Sequence, residues 1–393
     1  MCNFPEYSKS TCFGCGSCSL VCPQNCIKML PNEEGFLYPF LDSINCISCG
    51  LCRLHCPITN VVTNIKPIFS FGYINKNENV LMDSSSGGAF SAFAEHILQN
   101  QGHVYGTAFD ENMEAITILV NDKKDLSLLR GSKYVQSNTR KQYENIKNDL
   151  ISGKSVLYCS TPCQVAGLKS FLKKDYSNLL TIDLFCHGTP SPLLFSKYIN
   201  WLESKKNKKI TSYRFRKKEY GWGTKGSYTA NGTEELLIST FDPYYYSFLI
   251  GKTYRLTCYS CKYASPQRPG DISIGDFWGV HKTYPDIPNK KGVSAILINS
   301  KNGMNFFEFI RETGLVFNAD FDQIANHNQQ LMCPTEKPLQ RDLIYSQINS
   351  LTFDNLAKKY LFFENPIITK LRPFAPSIIK KVVKYVLSFK KNT

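Results

Sequence analysis

No stretch of the 393-residue chain approaches the ~20 consecutive apolar residues that a bilayer-spanning helix needs, so a helical membrane protein is not expected. The opening residues, Met1-Cys2-Asn3-Phe4-Pro5-Glu6, lack the basic-then-apolar layout of a secretory signal, and a cytoplasmic setting is expected. Acidic residues are missing from two stretches. Residues 205–218 hold eight Lys and Arg, residues 370–393 hold seven, and neither stretch holds an Asp or Glu. These patches account for all of the net charge of +14 and leave the remainder near neutral. Basicity is therefore local, which argues against a chain-wide nucleic-acid surface. A helix-turn-helix pattern is absent too, and with it the expectation of a DNA-reading redox sensor. Low-complexity tracts are missing, and a single duplication is the only internal repeat. At 42% hydrophobic content the chain can build a core, and its length exceeds one typical domain of about 100–200 residues.

Cysteine, by contrast, is plentiful, at sixteen residues. Eight fall in two runs, Cys12-x2-Cys15-Gly-x-Cys18-x3-Cys22-Pro and Cys46-x2-Cys49-Gly-x-Cys52-x3-Cys56-Pro, repeating at an offset of 34 residues. Two such runs are the signature of a bacterial-type ferredoxin with two [4Fe-4S] clusters. The tight triplet wraps three corners of one cube, and the fourth cysteine, before the proline, crosses to the other. Cys12, Cys15, Cys18 and Cys56 are thereby assigned to one cluster, and Cys46, Cys49, Cys52 and Cys22 to the second. Zinc sites favour separated C-x2-C pairs instead. Disulfides would have to join adjacent turns of one triplet, and nothing marks the chain as secreted. Between the runs, Asn32-Glu33-Glu34-Gly35 reads as a turn, with Gly35 able to take positive φ. Cys2 and Cys26 lie outside the pattern and read as spare.

After an exit segment from Pro57 to Pro67, Ile68–Asn75 alternates as a strand. Asp83-Ser84-Ser85-Ser86-Gly87-Gly88 then opens a helical pattern from Ala89 to Leu98. Free N–H groups at such a helix start suit a phosphate, although a Ser-Gly-Gly cap serves equally as a plain helix start. Val104–Phe109 and Ala115–Val120 read as a strand pair, and Arg130–Ser137 as a basic, aromatic loop. Two buried strands, Lys154–Cys159 and Leu179–Phe185, end in Ser160-Thr161-Pro162-Cys163-Gln164 and Cys186-His187-Gly188-Thr189-Pro190. Strand, turn and helix twice over is the α/β pattern, in which ligands gather at the carboxyl ends of parallel strands. A helix over Pro243–Leu249, a strand at Ser294–Ile298 and an amphipathic helix over Gly303–Glu312 follow. The lysine-rich run 205–218 suits either an anionic substrate, an acidic donor protein or plain solvation, and solvation is preferred.

Cys163, Cys186 and the pair Cys258-x2-Cys261 form a looser constellation, open to a structural zinc, a cluster or unliganded thiols on spacing alone. From Ile68 to about Gly279, however, the chain resembles the coenzyme F420-reducing hydrogenase/dehydrogenase beta-subunit family. The resemblance is carried by Ser86-Gly87-Gly88, Gly131-Ser132-Lys133-Tyr134, Thr161-Pro162-Cys163-Gln164, Cys186-His187-Gly188, Cys258-x2-Cys261, Gly270-Asp271 and Gly275-Asp276, in order. It implies a third [4Fe-4S] cluster on Cys163, Cys186, Cys258 and Cys261, four thiolates being what one cube takes. It implies an FAD as well. Ser86, Gly87 and Gly88 would hold the pyrophosphate through backbone N–H groups, Lys133 would supply positive charge near the phosphates or the reduced flavin, and Ser132 and Tyr134 would line the site. Asp271 and Asp276 read as turn residues.

The expected architecture is an α+β ferredoxin-like domain (1–66), a larger α/β mixed-sheet flavin-binding domain (67–335) and a helical, basic C-terminal extension (336–393). The expected function is an iron–sulfur flavoprotein oxidoreductase acting on an F420-like or other organic substrate, with a ferredoxin-like protein or partner subunit as electron donor or acceptor. The alternative is a non-catalytic electron-transfer subunit of a larger complex. Along Pro376–Leu387, apolar residues on one face and lysines on the other would permit peripheral membrane contact.

Overall fold

The computed structural model describes residues 8–59, 66–139 and 141–362. Cys2, the middle of the exit segment, the basic stretch 370–393 and the Pro376–Leu387 pattern lie outside the described residues.

The N-terminal unit folds around its two cysteine runs. Each run wraps a one-turn helix, α1 (Ser17–Leu20) and α2 (Leu51–Leu54). The glycine after the second cysteine caps each helix with φ of 82° at Gly16 and 75° at Gly50. That left-handed turn folds the triplet back on itself and is open to glycine at little cost. Between the helices, β1 (Ile27–Pro31) and β2 (Leu37–Leu41) form an antiparallel hairpin whose tip is the expected turn, with Gly35 at φ 82°.

In chain order, the main body holds β3 (Phe69–Asn75), α3 (Glu78–Asp83), α4 (Ala89–Gln99), β4 (His103–Phe109), β5 (Ala115–Val120), α5 (Gln142–Ile151), β6 (Val156–Ser160), α6 (Pro162–Leu172), β7 (Leu179–Leu184) and α7 (Pro192–Lys206). Next come β8 (Ile210–Arg214), β9 (Lys225–Ala230), β10 (Thr233–Ile238), α8 (Pro243–Leu249), β11 (Ile272–Asp276), α9 (Val280–Thr283), β12 (Ser294–Ile298), α10 (Lys301–Ile310), β13 (Gly314–Asn318), α11 (Phe321–Ala325), α12 (Gln340–Ser346) and α13 (Phe353–Leu356). Eight strands make one mixed sheet in the order β13-β3-β12-β11-β7-β6-β4-β5. Its centre, β11, β7, β6 and β4, is parallel, and its flanks are antiparallel.

Alternation along the strands feeds two separate cores. Val104, Leu157 and Leu180 pack with Phe93, Ile97, Phe307 and Ile310 from α4 and α10. Tyr105, Tyr158 and Leu179 pack with Tyr143, Ile146, Val165 and Leu168 from α5 and α6. Each fully buried aliphatic side chain of this kind contributes roughly 1.5–3 kcal/mol. A third, aromatic-rich core joins α7, the β10-β9-β8 sheet and α8. Ile344, Tyr345, Ile348, Phe353 and Leu356, from the segment expected to begin a separate extension, lie in this same core.

The N-terminal unit is bound to the body along its length. Its hairpin tip is clamped where Arg341, 2% exposed, holds both carboxylate oxygens of Glu34 at 2.7 and 2.5 Å. Ser191 Oγ donates to Glu34 O and Asn349 Nδ2 to Glu33 O. At the other end His55 Nδ1 meets Ser170 O at 2.9 Å, and Lys262 Nζ donates to Pro57 O.

Candidate functional site

The cysteines assigned to the first cluster, Cys12, Cys15, Cys18 and Cys56, are all buried and line one hollow. Cys22, Cys46, Cys49 and Cys52 line a second. The crossing of the fourth cysteine is therefore present in the chain's own geometry, as Cys56 stands with the first triplet and Cys22 with the second. Cys26, read from sequence as spare, lines the second hollow with its Sγ 3.3 Å from that of Cys22. Its place follows from the hairpin start at Ile27, which no cysteine spacing announces.

The first hollow is sealed against the main body. Gly167 of α6 comes so close that a Cβ on it would stand 2.7 Å from Cys15 Cβ and 3.1 Å from Cys15 Sγ. Thr139 donates to Cys15 O and Gln136 to Phe13 O. Phe13 and Tyr263 pack at 5.3 Å with Ala166, Cys163 and Cys261 around them.

Cys163, Cys186, Cys258 and Cys261 gather just beyond that packing. Proline at the first turn of α6 fixes the helix start and presents Cys163 there, at the carboxyl end of β6. Cys186 follows β7, and the short turn Leu256–Ser260 brings the C-x2-C pair across. The four thiols are mutual neighbours, since the charges of Cys258, Cys163 and Cys261 all bear on Cys186. Burial pushes the Cys163 thiol up to about 12 and Cys258 up to about 11. Such thiols ionise only beside a compensating cation, which a bound metal centre supplies. Among the described residues, no three His, Cys, Asp or Glu side chains gather tightly enough to hold a single metal ion. The thiols of the two N-terminal sets line hollows instead, an arrangement that suits an inorganic cube better than a lone zinc.

Sequence reasoning missed what braces this third set. Arg268 and Asp183, 1% and 0% exposed, form a buried ion pair at 2.5 Å. Arg268 also donates to Tyr263 O at 2.7 Å and Leu184 O at 2.9 Å. The pair thereby ties the loop after Cys261 to the strand before Cys186. Arg255, 1% exposed, lies between this set and the first hollow, and its charge acts on Cys12, Cys163 and Cys258.

The two stretches expected to hold a flavin are brought side by side. Ser132 donates through its backbone N to Ser85 Oγ at 3.0 Å, and the two hydroxyls lie 3.2 Å apart. Gly88 caps α4 at φ 86°, and Gly87 is packed so tightly that a Cβ would stand 2.0 Å from Tyr73 O. Close packing of the turn on the sheet therefore explains Gly87 without a ligand. Ser86 Oγ donates to Val293 O, and Lys133 Nζ donates to Leu128 O and Arg130 O at 3.0 and 2.9 Å. The Tyr134 ring stacks on Phe248 with centroids 4.1 Å apart.

The lysine-rich run divides. Lys205, Lys208 and Lys209 are exposed, as solvation requires, but Arg216 and Lys218 are buried and turn toward the serine-rich turn. Arg216 pairs with Asp276 at 2.9 Å and donates to Ser85 O, while Lys218 Nζ donates to Leu81 O and Ser86 O. Trp222 donates to Asp276 at 2.9 Å and stacks on Trp278 at 4.7 Å. Arg130, Lys133, Arg214, Arg216 and Lys218 thus face Asp83, Glu95 and Asp276, with Glu78 also acting on Lys218. Burial pushes Lys133 and Lys218 down to about 7, and an anion in the neighbourhood would restore their charge. A cationic excess around a helix start fits a diphosphate.

Two family models match the chain. One, for the C terminus of the coenzyme F420 hydrogenase/dehydrogenase beta subunit, matches residues 153–323, and the other, for a 4Fe-4S dicluster domain, matches residues 11–60. Over residues 153–323 the chain is similar to the coenzyme F420 hydrogenase/dehydrogenase beta-subunit family. It is thus an iron–sulfur protein of electron transfer, related to an oxidoreductase subunit. The beta-subunit match spans Cys163, Cys186, Cys258 and Cys261 together with Arg216 and Asp276, and the dicluster match spans all eight cysteines of the repeat. A chain of the xenon-derivatized F420-reducing [NiFe] hydrogenase complex from Methanosarcina barkeri is similar over 75% of this chain and 92% of its own length, at 15% identity and a TM-score of 0.44. Among curated proteins none matches. No helix among the described residues is long and apolar enough to cross a membrane.

Proposed function

We propose that this beta-subunit relative is an iron–sulfur flavoprotein oxidoreductase. It exchanges electrons with a partner protein at the second hollow and with an F420-like or other organic substrate at the basic turn. The observation that carries the reading is the series of three four-cysteine sets, the outermost the most exposed, the next buried and the third half-buried, ending at strand ends beside that turn. When bound, [4Fe-4S] clusters would supply one-electron transfer and FAD would join two such electrons into a hydride.

The chain's own residues supply position and charge. The three sets, Cys22 with Cys46, Cys49 and Cys52, Cys12 with Cys15, Cys18 and Cys56, and Cys163 with Cys186, Cys258 and Cys261, would each hold one cluster. Ser86, Gly87, Gly88, Ser132, Lys133 and Tyr134 would hold FAD. To these we add Arg216 and Lys218, whose buried charges face the same turn. The Phe13–Tyr263 packing places apolar rings between the two inner sets.

Exposed Phe40, Ile44, Ile47 and Leu54 around the outer hollow favour a protein partner there, and so keep the second reading, a non-catalytic electron-transfer subunit, in play. One anaerobic preparation tests both. Iron and sulfide per chain should approach twelve, about four for each of three cubes, with one FAD released per chain. Full iron without flavin would select the subunit reading. A colourless chain carrying zinc would overturn both.

A further inference from the structure

The Arg255 guanidinium is unusually placed. It is 1% exposed, and no carboxylate pairs with it among the described residues. Its Nε donates to Cys12 O at 2.8 Å, and its Nη1 donates to Gln136 Oε1 at 3.2 Å. The Tyr38 ring lies 3.9 Å from its centre and Phe36 5.5 Å. Nη2 is buried with no hydrogen-bond partner. Arg255 also opens the turn that presents Cys258, whose backbone N donates to Arg255 O at 2.9 Å. One side chain therefore touches the backbone of a thiol in the first hollow and belongs to the turn that carries two thiols of the third set. A buried cation left without a counter-charge is destabilising unless negative charge stands nearby, and an unpaired donor beside it adds to that cost.

We propose that Arg255 is a tuning residue of the electron path, a permanent positive charge that favours the reduced state of the centres held by the two inner thiol sets over that of the outer one. The proposal rests on the three-cluster reading above. Each inner centre gains one negative charge when it accepts an electron, and a fixed cation in a medium of low polarity stabilises that charge. Electrons arriving from the partner side would then be drawn inward. Gln136 orients the guanidinium, and the flanking aromatic faces hold it without neutralising it.

The test is a potentiometric titration followed by electron paramagnetic resonance on the intact anaerobic protein, wild type against Arg255→Gln and Arg255→Lys. Iron content should be unchanged. In the Gln variant the reduction equilibrium of the two inner centres should shift about tenfold toward the oxidised form, about 59 mV for one electron, while the outer centre moves less. The Lys variant should recover most of the shift. Gln136→Glu offers an independent route should Arg255→Gln fail to load iron. It sets a carboxylate against Nη1 with the arginine in place and should lower the same two potentials. Wild-type potentials in an iron-replete Arg255→Gln or Gln136→Glu protein would overturn the proposal alone. A wild-type chain without iron would overturn the function reading and the proposal with it.

Discussion

The two cysteine runs are nearly the same sequence in different surroundings. Position 14 of the first run corresponds to position 48 of the second, and both residues are left-handed, at φ 69° and 56°. One is glycine and the other serine. A Cβ at Gly14 would stand 2.7 Å from Leu37 O and 3.0 Å from both Arg255 Nη1 and Gln136 Nε2. Ser48 is exposed. The same backbone turn thus tolerates a side chain where the unit faces solvent and excludes it where the unit meets the body. Likewise Cys49 is exposed, whereas its counterpart Cys15 is buried against α6. Duplication supplied two equivalent thiol sets, and docking left one at the surface and buried the other, the difference on which the proposed entrance and interior relay rest.

The largest expected effect follows from that difference. With a chelator under mild oxidation, about four irons should leave the wild-type protein quickly and the remainder at least tenfold more slowly, because access decides the rate. Cys49→Ser should weaken only the fast pool. Cys15→Ser should empty the inner hollow and loosen the unit from the body, detectable as new proteolytic cleavage between residues 12 and 60. Equal release rates for all iron would remove the distinction between entrance and interior.

How much of this the sequence discloses depends on the range of each interaction. The cysteine repeat, the strand ends carrying Cys163 and Cys186, and the hairpin turn at Asn32–Gly35 are local patterns, and spacing alone locates them. The Asp183–Arg268 pair spans 85 residues, the Glu34–Arg341 clamp 307 and the Arg255–Cys12 bond 243. No periodicity records such partners. The run 205–218 shows the limit within one stretch. Its charge is legible, but whether Lys209 points to water and Lys218 to Ser86 is decided by the pleat of β8 and the turn after it.

Next in size is the brace behind the third set. Arg268→Leu leaves Asp183 buried without its partner, at about 3–5 kcal/mol. Chemical denaturation should register that loss. The iron of the third set should fall before that of the other two, since only its two halves are tied together by this pair.

A pH test separates the body from the docked unit. Asp242 caps α8, accepting from Tyr245 N at 2.6 Å and from Tyr198 Oη at 2.5 Å, and burial raises its pKa from 3.8 to about 6. A raised carboxyl binds its proton more tightly folded than unfolded. Stability therefore falls as pH rises between those two values, by up to roughly 3 kcal/mol. Asp242→Asn can keep the cap, and the Tyr198 hydroxyl, 3.2 Å from that of Tyr213, can reverse its donation. The difference in unfolding free energy between wild type and variant should thus move in this sense from pH 4 to 7. Release of the fast iron pool should not follow it, because Asp242 belongs to the aromatic core and not to the outer hollow.

The smallest effect is the sharpest comparison, an exchange of the two matched positions. Gly14→Ser introduces a Cβ into a space bounded by a backbone carbonyl and by Arg255, neither of which can move freely. Overpacking of this kind costs about 1–3 kcal/mol. Ser48→Gly relieves a left-handed non-glycine, worth about 1–2 kcal/mol, but gives back about 0.5–1 kcal/mol in chain entropy. Thermal unfolding should therefore show a clear loss for the first exchange and a change below about 1 kcal/mol for the second. The iron potentials sharpen the point further. Gly14→Ser presses on the Arg255 guanidinium and should disturb the inner centres, whereas Ser48→Gly should leave them unmoved. Equal consequences at both positions would mean that the body does not distinguish the two runs, and the entrance and the relay would be one kind of site.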